Sequence, residues 1–153
     1  MLEIGDNAPA FTLPETDGAP ITLSDLKPSA VVLFFYPRDN TKGCTVEAID
    51  FSAASDAFDA AGVKVFGISK DSLASHGKFR GKHELTVPLL SDEESDVCEQ
   101  YGVWKEKKMY GKTFMGIERT TVLIDSEGKV SKIWRKVKVP GHVEDVLAAA
   151  QNL

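Results

Sequence analysis

Cys44 stands where a sulfur could do chemistry. It closes the segment Pro37-Arg38-Asp39-Asn40-Thr41-Lys42-Gly43-Cys44, directly after the apolar run Ala30–Tyr36 and ahead of a helical pattern. A free cysteine is usually a small buried hydrophobe. This one falls on a strand-to-helix turn. If Thr41 caps the helix, Cys44 lies in its first turn, where unpaired N–H groups and the helix dipole favour an anion. The thiolate is the nucleophilic form of cysteine, and such a setting promotes it. Gly43 lets the backbone pack closely, and the Thr41 hydroxyl could reach toward the thiol or toward an oxygen attached to it. Glu47 follows one turn later. An unpaired carboxylate so close would oppose a thiolate, so a cationic partner for it is expected.

Other thiol chemistries fit less well. The positions three residues either side of Cys44 hold Thr41 and Glu47, so the Cys-x-x-Cys spacing of dithiol exchange is absent. Cys98 is the only other cysteine, beside Val97 and near Tyr101 on an acidic helical stretch, where a core role is expected. His76, His83 and His142 are scattered, with neither zinc-ligand spacing nor a recognisable Cys-His hydrolase motif.

The bulk properties are those of an ordinary globular chain. Its 153 residues suffice for one α/β domain with its own core, and the 42% hydrophobic and 27% charged fractions are typical. A net charge of −5 argues against a nucleic-acid surface. No run reaches the ~18 apolar residues of a membrane span. Met1–Asp6 has no basic or apolar leader pattern, and two cysteines are too few for a disulfide scaffold. A reducing, cytoplasmic setting is the default. With no repeat and no Pro/Ser linker, a single domain over 1–153 is expected.

The elements that must position Cys44 follow from period and punctuation. Residues 10–13 and 21–23 read as short strands around Thr16-Asp17-Gly18, with Ser24 as cap of a brief helical turn. Ala30–Tyr36 reads as a central strand buried on both faces, ended by Pro37. Phe51, Ala54, Phe58 and Ala61 recur at helical spacing from Thr45 to Ala61, and Gly62 is the stop. Strands at 63–68 and 87–90 bracket a helix over 72–83. Ser91-Asp92-Glu93-Glu94 has the form of a capping box, opening a helix to about Tyr101. Residues 102–116 show no clear period and read as a long surface loop. Strands at 120–125 and 130–137 flank the hairpin signal Ser126-Glu127-Gly128, and a last helix begins at Pro140-Gly141. This order predicts an α/β fold with a mixed sheet, an N-terminal β-hairpin and helices on both faces. A thioredoxin-like fold fits it, although spacing alone leaves other α/β sandwiches open.

Pro37-x-x-x-Thr41-x-x-Cys44 resembles the active-site motif of the peroxiredoxins. Phe35-Tyr36-Pro37 and Gly43-Cys44-Thr45-x-Glu47 are similar to the peroxiredoxin Q, or bacterioferritin comigratory protein, subfamily. So are Gly5-Asp6-x-Ala8-Pro9-x-Phe11-x-Leu13, Tyr101-Gly102-Val103-Trp104 and Met115–Thr121. The resemblance covers nearly the whole chain. It implies a thiol peroxidase on a thioredoxin-like fold that reduces hydrogen peroxide and organic hydroperoxides and needs no metal or organic cofactor. Cys44 would be the attacking thiol, oxidised to a sulfenic acid. Thr41 would hydrogen-bond the peroxide, Arg119 would stabilise thiolate and transition state, Pro37 would shield the site, and Glu47 would orient Arg119. Without the motif, Arg119 reads as a solvated strand-edge residue and Glu47 as an exposed helix carboxylate.

Two departures shape what regenerates the thiol. Subfamily members often carry a resolving cysteine five residues after the first, where this chain has Ile49, or on the next helix near His76–Arg80, which has no cysteine. The resemblance therefore points to a one-cysteine mechanism served by an external thiol such as thioredoxin or glutaredoxin/glutathione. A two-cysteine route through Cys98, or a redox sensor signalling through oxidised Cys44, are the alternatives. Lys42 stands where the subfamily usually has proline, which predicts a looser first turn. Lys105, Lys107, Lys108 and Lys112 read as a solvated loop face or a dock for an acidic reductase. Trp104, Tyr110 and Phe114 read as ordinary packing or an apolar wall near the site. A monomer is expected from the subfamily.

Overall fold

The computed structural model describes residues 1–153. The chain runs β1 (Thr12–Leu13), β2 (Ile21–Thr22), β3 (Ala30–Phe35), α1 (Lys42–Ala53), α2 (Ser55–Ala60), β4 (Val63–Ser69) and α3 (Leu73–His83). It continues with β5 (Leu89–Ser91), α4 (Val97–Gln100), β6 (Trp104–Met109), β7 (Lys112–Ile117), β8 (Thr120–Ile124), β9 (Val130–Trp134) and α5 (His142–Gln151). Five strands form the central sheet in the order β5-β4-β3-β8-β9. β3, β4 and β5 are parallel; β8 and β9 each run antiparallel to their neighbours. β1 and β2 make the N-terminal hairpin.

The side-chain period of two divides β3 between two cores. Val32, Phe34 and Tyr36 face α1, α2, α3 and α5 in one apolar cluster, while Val31, Leu33 and Phe35 face a second cluster with Phe11, Leu13, Cys98 and Tyr101. All six β3 residues are buried, as a strand covered on both faces requires. Phe34 stacks on Phe51 of α1 with ring centroids 4.4 Å apart, which fixes that helix over the sheet. Gly67 of β4 makes the room: a Cβ there would lie 2.6 Å from the Phe34 ring.

Several expectations are corrected. The long helices supply one core; the other is closed by the N-terminal hairpin, a 3-10 turn over Leu23–Leu26, α4 and the base of β6–β7. Ser24 lies inside that 3-10 turn and does not cap it. The helix expected over 45–61 starts three residues earlier and breaks at Ala54, whose N–H is shared among carbonyls of Asp50 and Phe51. The helix expected to open at Ser91 shrinks to α4. Ser91 ends β5, and the buried Asp92 carboxylate instead accepts the Val97 and Cys98 amides at 3.1 and 2.8 Å. Residues 102–116 are no loop. β6 and β7 pair antiparallel through a two-residue turn at Tyr110-Gly111, with φ of 51° and 76°, the signs of a type I′ turn. Most of this hairpin is exposed on both faces, so it carries no apolar alternation to read.

Candidate active site

Cys44 lies where the sequence places it, in the first turn of α1, but its side chain is only 1% exposed. Thr41 occupies the N-cap position with extended backbone and makes no side-chain cap bond. Its hydroxyl donates to the Arg38 carbonyl at 3.1 Å and makes no hydrogen bond to the sulfur. The amides of Lys42, Gly43 and Cys44 have no hydrogen-bond partner within the protein, so the turn presents its orphan donors beside the thiol. Pro37 is half-buried at the end of β3.

The cationic partner expected for Glu47 is Arg119. This residue sits in the two-residue link between β7 and β8, its carbonyl held by the Val137 N–H at 3.0 Å. Its Nη1 donates to Glu47 Oε1 at 2.8 Å, and its Nη2 donates to Cys44 Sγ at 3.3 Å. One guanidinium therefore links the carboxylate and the sulfur. Gly43 gives it passage, since a Cβ there would lie 3.1 Å from Arg119 Nη2. Burial pushes the Glu47 carboxyl up to about 7, and the Arg119 cation pulls it back only in part.

Behind this pair lies a group that sequence reasoning missed. Glu47 Oε2 is buried with no hydrogen-bond partner, and its neighbour is His142 Nε2 at 3.9 Å. His142 opens α5 and shares a 2.8 Å hydrogen bond with the Thr121 hydroxyl. Its ring meets Phe51 and Trp134 edge to face. Burial drives its pKa down to about 4, so the ring is neutral at pH 7. Only the position of His142 directly after Pro140-Gly141, at a helix start, was visible beforehand.

A second missed feature holds the Pro37–Thr41 segment. The Asp39 carboxylate accepts from the Tyr36 hydroxyl at 2.7 Å and the Ser75 hydroxyl at 2.7 Å, and lies 2.8 Å from His76 Nδ1. The Asp39 N–H donates to Asp71 at 2.9 Å, and His76 Nε2 reaches the Leu90 carbonyl at 3.0 Å. Burial alone would raise the Asp39 carboxyl; the bonds from His76 and Tyr36 and the His76 charge overcome it and hold the group below its usual range. Asp39, Asp71 and His76 bring three candidate metal-ligand atoms within 4.8 Å of one another. Each of these atoms already has a protein partner, which marks the cluster as a clamp on the segment.

Cys98 lies in the other core, with the sheet between it and Cys44. Both thiols are free. Burial and the Asp92 carboxylate push the Cys98 thiol far up, away from the reactive thiolate. Of the aromatic residues considered for a wall, Trp104 packs on the Cys98 core with the Lys70 ammonium 5.1 Å over its ring, while Tyr110 is 96% exposed.

A sequence model described as the AhpC/TSA family matches residues 4–133. This chain belongs to that family. Peroxiredoxin Bcp of Bacillus subtilis is 46% identical over 152 residues, 99% of this chain and 97% of its own length. Peroxiredoxin Bcp of Escherichia coli is 43% identical over 146 residues, 95% of this chain and 94% of its own. Among solved structures, Xanthomonas campestris peroxiredoxin Q superposes with a TM-score of 0.90 at 43% identity, covering 99% of this chain and 96% of that one. A cysteine-to-serine variant of Xylella fastidiosa PrxQ gives 0.93 at 38% identity, covering 99% and 97%. The thioredoxin-like peroxiredoxin fold and the peroxiredoxin Q assignment follow, and the chain is a thiol peroxidase. No helix is long and apolar enough to cross a membrane.

Proposed function

We propose that this thiol peroxidase works through Cys44 alone, with Arg119 as its electrostatic partner and an external thiol as its reductant. The observation that carries the reading is the pair of bonds from one Arg119 guanidinium to Cys44 Sγ and Glu47 Oε1. The Cys44 thiolate attacks one peroxide oxygen. An S–O bond forms, the O–O bond breaks, and the leaving oxygen takes a proton to become water or an alcohol. Sulfur is oxidised to the sulfenic acid and the peroxide is reduced. Negative charge passes from sulfur to the leaving oxygen, and Arg119 with the free first-turn amides lies beside that path. Thr41 contributes its hydroxyl once peroxide displaces the bond to Arg38, Pro37 limits water, and Glu47 orients Arg119.

The reductant then attacks the Cys44 sulfur, releasing water and leaving a mixed disulfide. A second thiol cleaves that disulfide and restores Cys44. The placement of Cys98 across the sheet supports an external source. Hydrogen peroxide and organic hydroperoxides are the proposed substrates; the related Xanthomonas campestris bacterioferritin comigratory protein has been studied for alkyl peroxide reduction. We place the protein as a monomer in a reducing compartment such as the cytoplasm, where thioredoxin or glutaredoxin/glutathione could serve it.

Peroxide consumption with each thiol system tests this. Wild type and Cys98→Ser should turn over equally, and Cys44→Ser should not turn over. Stoichiometric reaction with every thiol would mark a sensor instead, and loss of turnover in Cys98→Ser would restore the two-cysteine route.

A further inference from the structure

The hairpin of β6 and β7 has a charge and a shape that the reaction at Cys44 does not explain. Residues 104–117 carry four lysines against Glu106, three net positive charges in a chain whose total is −5. The rest of the molecule is correspondingly acidic. The two strands pair only with each other, and most of their side chains are exposed. An isolated two-stranded hairpin is marginal in water, so its exposed apolar side chains call for a reason.

The register sorts them. Lys105 opposes Gly116, Lys107 opposes Phe114, and Met109 opposes Lys112, and residues opposite in an antiparallel pair share a face. Lys105, Lys107, Met109, Lys112 and Phe114 thus lie on one face, three cations with two apolar groups. The other face bears Trp104 and Ile117, which anchor the base of the hairpin in the Cys98 core, and beyond them Glu106, Lys108, Thr113 and the half-exposed Met115. The cationic face is turned away from the face that joins the Cys98 core, and two residues beyond β7 Arg119 reaches Cys44 Sγ at 3.3 Å, so the hairpin's base adjoins the active site. From Lys107 the arm extends another ~10 Å to its tip, at ~3.4 Å per residue. Phe114 is 43% exposed and Met109 56%. A small thiol at Cys44 would leave both uncovered. A protein straddling the arm would cover them while its thiol reached the sulfur.

We infer that the Lys105–Lys107–Lys112 face of the β6–β7 hairpin is the docking surface for the reductant, a protein whose reactive thiol is set among acidic and apolar groups. The inference rests on the external-thiol reading of the mechanism. An anionic membrane would match the same charges, but it brings no thiol to Cys44.

The test measures the return of the Cys44 thiol, by mass, in peroxide-treated protein. The probes are a short cysteine peptide flanked by glutamate and leucine and its lysine-flanked counterpart. Wild type should react about tenfold faster or more with the acidic peptide at low salt, and the preference should fade as salt rises. Lys105→Glu/Lys112→Glu should abolish or invert the preference. Lys108→Glu, on the opposite face, should largely keep it, and oxidation by peroxide should be unchanged in both. An unchanged preference in the double variant would overturn the assignment. So would binding to phosphatidylglycerol vesicles that disappears in the double variant while peptide discrimination persists. Failure of every thiol, dithiothreitol included, to restore Cys44 would instead sink the external-thiol mechanism beneath it.

Discussion

Arg119 divides one guanidinium between two partners, the Cys44 sulfur at 3.3 Å and the Glu47 carboxylate at 2.8 Å. Removing a preorganised donor aimed at developing charge costs ~10²–10³ in rate. Arg119→Met should slow Cys44 oxidation by peroxide on that scale in stopped flow, and a loss under about threefold would contradict the assignment. Glu47 carries a stability signature of its own. Its carboxyl sits at about 7 when folded, above its value in an unfolded chain, because burial disfavours the charge. The folded protein thus holds a proton that the unfolded chain releases from about pH 4.5 upward. The advantage is full below that pH and is lost as pH rises through 7. Urea denaturation should show Glu47→Gln gaining on wild type from pH 5 to pH 8, by no more than ~3 kcal/mol. A constant difference across that range would mean that Glu47 does not titrate there. Gly43 separates stability from chemistry. Alanine, with less chain entropy to lose, should strengthen the first turn of the helix by up to ~0.5–1 kcal/mol. It should also press Arg119 away from the sulfur and slow oxidation, whereas unchanged rate would show that Arg119 yields without loss.

At the scale of elements, α1 depends on what precedes it. The segment from Pro37 to Thr41 is tied to the β4–α3 corner through Asp39, Asp71, Ser75 and His76, and to α3 again where His83 meets Asn40 at 3.2 Å. Asp39 lies below its usual range in the folded protein, so its contribution is present above the unfolded value near pH 4 and is lost as pH falls further. His76→Asn removes a buried partner and should destabilise the protein by ~1–3 kcal/mol, with faster amide exchange over residues 38–45 than in α5. Uniform exchange along the chain would show that the clamp is not local. Lys42 bears on the same turn. Lys42→Pro should raise amide protection at Thr45 and Val46, the first bonded amides of the helix, and equal protection would count against a looser turn from lysine. The clamp was not legible beforehand because its members come from stretches some thirty or more residues apart, none with a periodic signal. The strand before Cys44 was legible because a strand buried on both faces leaves a continuous apolar run. The β6–β7 hairpin escaped because pattern reads burial, and this element is barely buried.

Over the whole molecule, the sheet does more than support α1. By sending alternate β3 side chains to opposite cores, it puts Cys44 in one and Cys98 in the other. The motif around Cys44 was readable as residue types at short spacing, whereas Arg119 and its pairing with Glu47 came only through the family resemblance; the structure links the three side chains through the Arg119 guanidinium. The separation of the two thiols is a matter of which face each element covers, and no local spacing encodes it. His142 escaped for the same reason: α5 returns to the sheet and places its first residue behind Glu47. In the proposed mechanism Cys44 is oxidised and regenerated without a partner in its own chain. Intact and peptide-level mass spectrometry after one equivalent of hydrogen peroxide tests it most directly. One added oxygen on Cys44 is expected, with Cys98 still reduced and the same product in Cys98→Ser. An intramolecular Cys44–Cys98 disulfide, with turnover lost in Cys98→Ser, would contradict it.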